Sequence, residues 1–206
     1  MTRIRHSEKM FLMNRLLLVF ILVFGFQFLI KAEGVIEFEI EGISIGDSLL
    51  DHYSKKEIES WVVTNYPSSD NYYKVETRLN DGEYEVISFH LKKNDPKFIV
   101  TELNGGKFFG TNFSKCSKFQ NKVISDISGH TKNLEKDTYR YYYKKVEEGK
   151  SYADIIEFTY PNGDLIRTWC VNWTSIVEKK LNFEDNFAIS MTPSRHMKWI
   201  NTEAYK

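Results

Sequence analysis

The chain has 206 residues, 28 basic and 28 acidic, with 42% hydrophobic and 15% aromatic side chains. That length suits one domain or two small halves packed together, and four prolines without a low-complexity run exclude a disordered chain. Two cysteines exclude a multi-disulfide miniature scaffold and a four-cysteine zinc site.

Residues 1–15 carry Arg3, Arg5, Lys9 and Arg15 ahead of the apolar run Leu16–Ile30. A spanning helix needs about 20 apolar residues, so this shorter run reads as the core of a signal peptide occupying residues 1–32. A cut after Gly34 places Ala32 at the −3 position, a better fit than a cut after Ala32, which places Ile30 there. The alternative is a retained N-terminal transmembrane anchor over residues 16–30, which would have to bury Arg15. No cysteine lies near the end of the apolar run, so a bacterial lipid anchor is excluded. Export places the rest of the chain, 33–206, in the periplasm or outside the cell. Removing the five bases Arg3, Arg5, Lys9, Arg15 and Lys31 and the one acid Glu8 from the 28 of each sign leaves 23 bases and 27 acids. A net negative mature chain is not a strongly basic nucleic-acid binder.

Val35–Glu41 alternates apolar and acidic residues, the period of a half-buried strand, with Glu37, Glu39 and Glu41 on its solvated face. Ser44-x-x-Asp47 reads as a capping box and Ser54-Lys55-Lys56-Glu57 as a second, so residues 45–63 are expected to form two short helices. Asp47 and Asp51 would then share a helix face, where carboxylates favour an N-terminus or, as a pair, serve acid–base work. Tyr72–Asn80 and Glu83–Lys92 flank Asp81-Gly82 as a hairpin, and Phe98–Leu103 is a third strand ending at Asn104-Gly105-Gly106. Phe113–Ile127 is the clearest helix, with Phe113, Cys116, Phe119, Gln120, Val123, Ile124 and Ile127 on one face and Gly129 as its stop. Asp137–Glu147 is a strand with Tyr139, Tyr141 and Tyr143 on one face. Tyr152–Tyr160 and Leu165–Trp173 form a second hairpin around Asn162-Gly163. In its latter strand Leu165, Arg167, Trp169, Val171 and Trp173 share one face and Cys170 lies on the other. Residues 183–191 add an edge strand, and Arg195–Thr202 a terminal helix. The order repeats, helices then strands, over residues 35–104 and 113–191. It predicts a single α+β domain: an antiparallel sheet with helices packed on one face.

The block Ile40-Glu41-Gly42-Ile43-Ser44-Ile45-Gly46-Asp47-Ser48-Leu49-Leu50-Asp51 resembles the opening of a family of small, uncharacterised exported bacterial proteins. The resemblance is strong over residues 36–60, supports export and implies no known activity. At the level of fold, helices followed by a strand meander are similar to the small lipoprotein of the outer-membrane barrel-assembly machinery. Two such halves are similar to the β-lactamase inhibitory protein. This chain lacks the lipid-anchor cysteine of the former.

In an oxidising compartment the two cysteines read as a Cys116–Cys170 disulfide closing a loop of about 55 residues, worth about 4 kcal/mol. The rival reading makes Cys116 a thiol nucleophile near a helix start. Asn112-Phe113-Ser114 and Asn172-Trp173-Thr174 match the glycosylation pattern, which has no meaning in a bacterial host. His52, His90 and His130 fall in separate elements without a His-x-x-x-His spacing, so the sequence predicts neither metal nor cofactor. Gly105–Gly110 lacks the Gly-Lys-Ser/Thr ending of a phosphate loop, and no Gly-x-Ser-x-Gly elbow occurs. Tyr139, Tyr141, Tyr143, Trp169 and Trp173 are the candidate binding residues, because tyrosine and tryptophan suit recognition of protein or ligand surfaces. The expected function is that of a non-catalytic envelope module binding a protein or small ligand. The alternatives are a secreted hydrolase with a carboxylate site and a proteinaceous enzyme inhibitor.

Overall fold

The structure, a computed structural model, describes residues 34–131, 134–146 and 149–206. The expected leader lies outside the described residues. The remainder forms one compact unit, and no helix among the described residues is long and apolar enough to cross a membrane.

The fold is α+β. Among the described residues, eight strands form one antiparallel sheet: β3 (Val62–Asn65), β4 (Tyr72–Arg78), β5 (Val86–Lys92), β6 (Val100–Phe108), β7 (Glu135–Tyr142), β8 (Tyr152–Thr159), β9 (Leu165–Asn172) and β10 (Asn186–Thr192). Their spatial order is β3-β4-β5-β6-β10-β9-β8-β7. Each half is therefore a helix followed by a four-stranded meander, and the two meanders meet where β6 pairs β10. The helices are α1 (Lys55–Ser60), α2 (Phe113–His130), α3 (Ser175–Leu181) and α4 (Ser194–Trp199). A π-helical turn, Ile200–Ala204, follows α4.

The face of the sheet carrying Ile87, Phe89, Leu91, Leu103, Ile166, Phe187 and Ile189 is the core face, and every one of these is buried. The apolar side of α2 covers it. Cys116, Gln120, Val123, Ile124 and Ile127 are buried there as the periodicity predicts, and Gln120 Nε2 donates to Asp154 O and Thr168 Oγ1. The disulfide Cys116–Cys170 ties α2 to β9, with Cα atoms 5.9 Å apart. The Asn112 side chain caps α2 by accepting from Lys115 N at 3.0 Å, and α2 runs past Gly129 to His130.

The N-terminal segment departs from expectation. Val35–Glu37 is a 3-10 turn, and only β1 (Glu39–Ile40) and β2 (Ile43–Ser44) pair there, as a tight hairpin. Glu41 and Gly42 both have positive φ, the signature of a type I′ turn. The first capping box opens no α-helix, only a 3-10 turn at Leu49–Asp51. Gly46 N donates to Val100 O and Val100 N to Asp47 O, so the backbone is drawn to β6 instead of into helical bonds. The second box forms as read: Ser54 and Glu57 cap α1 reciprocally.

Three further expectations are corrected. Gly105 and Gly106 lie inside β6, not at its end, because β5 and β10 pair with them on both sides; a Cβ on Gly105 would stand 2.7 Å from Tyr84 Cδ1. Residues 186–192 are a central strand rather than an edge, since β10 supplies the seam between the halves. Helices also lie on both faces: α2 covers the core face, whereas α4 brings His196 against His90, which projects from the opposite face of β5. The helix α3 carried no strong signal in the sequence.

Candidate functional site

The second face of the sheet, built by alternate residues of every strand, is only partly covered. At one end α4 and the π-helical turn lie over it. Trp199 packs edge-on against Tyr66 and Tyr72 with centroids 4.8 and 4.7 Å away, and its indole N–H donates to Ser69 Oγ at 2.9 Å.

Beneath α4 three polar side chains converge. His90 projects from β5, Glu102 from β6 and His196 from α4, and all three are at least nine-tenths buried. His90 Nδ1 lies 2.9 Å from Glu102 Oε2, His196 Nε2 lies 3.0 Å from the same oxygen, and the two nitrogens are 2.7 Å apart. The other carboxylate oxygen, Oε1, accepts from Ser190 and Thr192 hydroxyls on β10, each at 3.2 Å. The Tyr66 hydroxyl sits 2.9 Å from His90 Nε2. Burial alone would raise the Glu102 carboxyl. The His196 and His90 nitrogens against Oε2 outweigh it and hold the group well below the usual carboxylate range. Burial pushes the His196 imidazole down despite Glu102 beside it, which favours its neutral form.

Beside this cluster runs a cavity of about 410 Å³ whose wall includes Tyr66, Ser88, His90, Asn104, Trp169 and Tyr205. Gly106 contributes no side chain to its floor, and Lys74 and Glu76, an ion pair at 3.0 Å, lie at its margin.

The aromatic residues singled out by the sequence share this face. Tyr139 and Trp169 flank Ile155 across β7, β8 and β9. Tyr141, Tyr143, Trp173 and Phe183 form a continuous row, with successive ring centroids 5.2, 4.8 and 4.9 Å apart. Tyr141 is 53% exposed and Phe183 42%. Phe108 and the Arg78 guanidinium stacked on it share a second cavity with Trp173 and Phe183. Tyr139 donates its hydroxyl to Glu157, which also holds Arg167. Trp169 is set apart from the row, in the cavity wall.

Other singled-out residues serve structure. Asp47 Oδ2 accepts from Ser44 N at 2.8 Å and holds a turn, and Asp51 lies in the 3-10 turn. Glu41 accepts from Glu83 N and Tyr84 N, which fastens the N-terminal hairpin to the β4–β5 loop. Cys116 is in the disulfide and therefore not a free nucleophile. Among the three histidines weighed in the sequence, His90 alone joins the buried cluster. Its partners Glu102 and His196 are distant in the chain, and the one available signal was an acidic residue on an otherwise apolar strand.

Comparison with protein-family models, curated proteins and solved structures finds no match to this chain.

Proposed function

We propose that the chain is an exported, non-catalytic binding module that engages a protein partner through the open face of its sheet. The observation that carries this reading is the row Tyr141–Tyr143–Trp173–Phe183. It presents the exposed rings of Tyr141 and Phe183, with half-buried Tyr143 and Trp173 between them, at the end of the sheet's open face, whereas α2 and the N-terminal segment pack on the core of the opposite face. Rigid tyrosine and tryptophan side chains supply contact area at low entropic cost, which is why they are enriched in interfaces. The disulfide fits an oxidising compartment.

A cut after Gly34 is consistent with the fold. Val35 N is buried and stands 3.3 Å from Asp164 Oδ2, so a new terminal ammonium there would gain a charged partner. The cavity of about 410 Å³ favours a second reading, a small ligand held between Trp169 and Tyr205.

The test uses protein recovered from the exported fraction of its own host. Native mass spectrometry should show a stoichiometric protein partner. The double variant Tyr141→Lys, Trp173→Ala should lose it while retaining the disulfide and the circular-dichroism spectrum of the parent. Retention of the partner at full occupancy would overturn the proposal. A bound small molecule in place of a protein would favour the second reading.

A further inference from the structure

We propose that His90 Nδ1, Glu102 Oε2 and His196 Nε2 ligate one divalent first-row transition-metal ion, which clamps α4 to the sheet. Three lone-pair atoms meet in a triangle with sides of 2.7, 2.9 and 3.0 Å inside the protein. Protons satisfy this triangle poorly. With one proton, a pair of acceptors is left facing each other. With one on each nitrogen, two N–H groups aim at one oxygen from 2.7 Å apart. A single cation off the plane of the triangle satisfies all three atoms at once.

The distances select the class of ion. Ligands about 2.1 Å from a metal and at right angles to each other stand about 3.0 Å apart, and tetrahedral ligands about 3.4 Å. The observed sides fit the right-angled arrangement, in which two imidazoles and a carboxylate occupy adjacent positions and leave others to water. Calcium and magnesium, which take oxygen ligands, are disfavoured by two nitrogens.

The surroundings hold each ligand in place, as metal sites require. Ser190 and Thr192 occupy Glu102 Oε1 and so turn Oε2 toward the histidines. The Tyr66 hydroxyl lies nearer His90 Nε2, at 2.9 Å, than Nδ1, at 3.3 Å, and so favours Nδ1 as the ligating nitrogen. Glu102 Oε2 is buried and has no hydrogen-bond partner in the protein, although both imidazole nitrogens stand beside it. The rings of Tyr72 and Trp199 flank the His196 ring at 4.8 and 5.0 Å. Among the described residues this is the one such group of three ligating side chains. His90 also lines the open-face cavity, which places the cluster directly beneath that cavity's wall.

The test begins with the full chain dialysed against a chelator near neutral pH. Titration with nickel chloride, whose ion takes imidazole ligands at right angles, followed by calorimetry and native mass spectrometry, should give one nickel ion per chain and a higher melting temperature at excess metal. Glu102→Gln, nearly isosteric, and His196→Asn should each weaken nickel binding by at least about tenfold. X-ray absorption of the nickel-loaded parent should count two imidazoles. That count does not depend on the variants folding. Absence of stoichiometric nickel, unchanged affinity in Glu102→Gln, or fewer than two imidazoles would each overturn the assignment.

Discussion

Gly105 shows how a single residue can be read correctly as special and wrongly as to why. Adjacent glycines ordinarily end a strand, because they lack side chains to pack and lose entropy on ordering. Here the strand continues, paired with β5 and β10 on both sides, and glycine is required because the Tyr84 ring occupies the space a Cβ would need. Gly105→Ala should therefore lower stability by about 1–3 kcal/mol in urea denaturation, the usual penalty of overpacking. Gly129 is the contrast: it lies within α2, and a Cβ there meets nothing within 4 Å. Gly129→Ala should leave stability unchanged or raise it by up to about 1 kcal/mol. Equal midpoints for Gly105→Ala and the parent would contradict the packing account. His196 stands at the other extreme of legibility. Its partners lie 106 and 94 positions away, and no local period or spacing reports such a contact.

At the scale of elements, strong local signals survived and weak ones yielded to tertiary bonds. The Ser54–Glu57 box and the Asn162-Gly163 hairpin formed because each is satisfied by neighbours a few residues away, and the α2 stripe formed because its helical period matches the face it buries on the sheet. Residues 45–53 carried a helical pattern too, but Gly46 N donates to Val100 O and Asp47 O accepts from Val100 N. The disulfide was legible from cysteine count and compartment, and the buried face of α2 indicated which side of β9 would meet it. It fastens the longest helix to the second meander across 54 positions of sequence. Cys170→Ser should lower stability by about 4 kcal/mol on the loop-entropy model, read as a fall in the urea midpoint in oxidising buffer. An unchanged midpoint would mean that the packing of α2 on β9 and β10 suffices alone.

The whole molecule is two meanders joined edge to edge, and that join decides where recognition can occur. Pairing β6 with β10 removes two sheet edges and produces one wide surface. One side is closed by α2 and the N-terminal hairpin. The other is open over β7, β8 and β9, where Tyr139, Tyr141, Tyr143 and Trp173 come together. The two halves were visible in the sequence as repeated order. Their union was not, because β10 resembles an edge strand until its partner β6 is known. The aromatic alternation fixed which residues share a face, since strand side chains alternate, and Cys170 set Trp169 and Trp173 on the side away from α2, but only the sheet order showed that the β7 tyrosines join them there. The most direct test of the binding face is hydroxyl-radical footprinting of the host-recovered complex against the released chain. Protection at Tyr139, Tyr141, Tyr143 and Trp173, with the solvent side of α2 equally reactive in both states, is the expected result. Protection confined to α2, with the tyrosine row unchanged, would contradict the account.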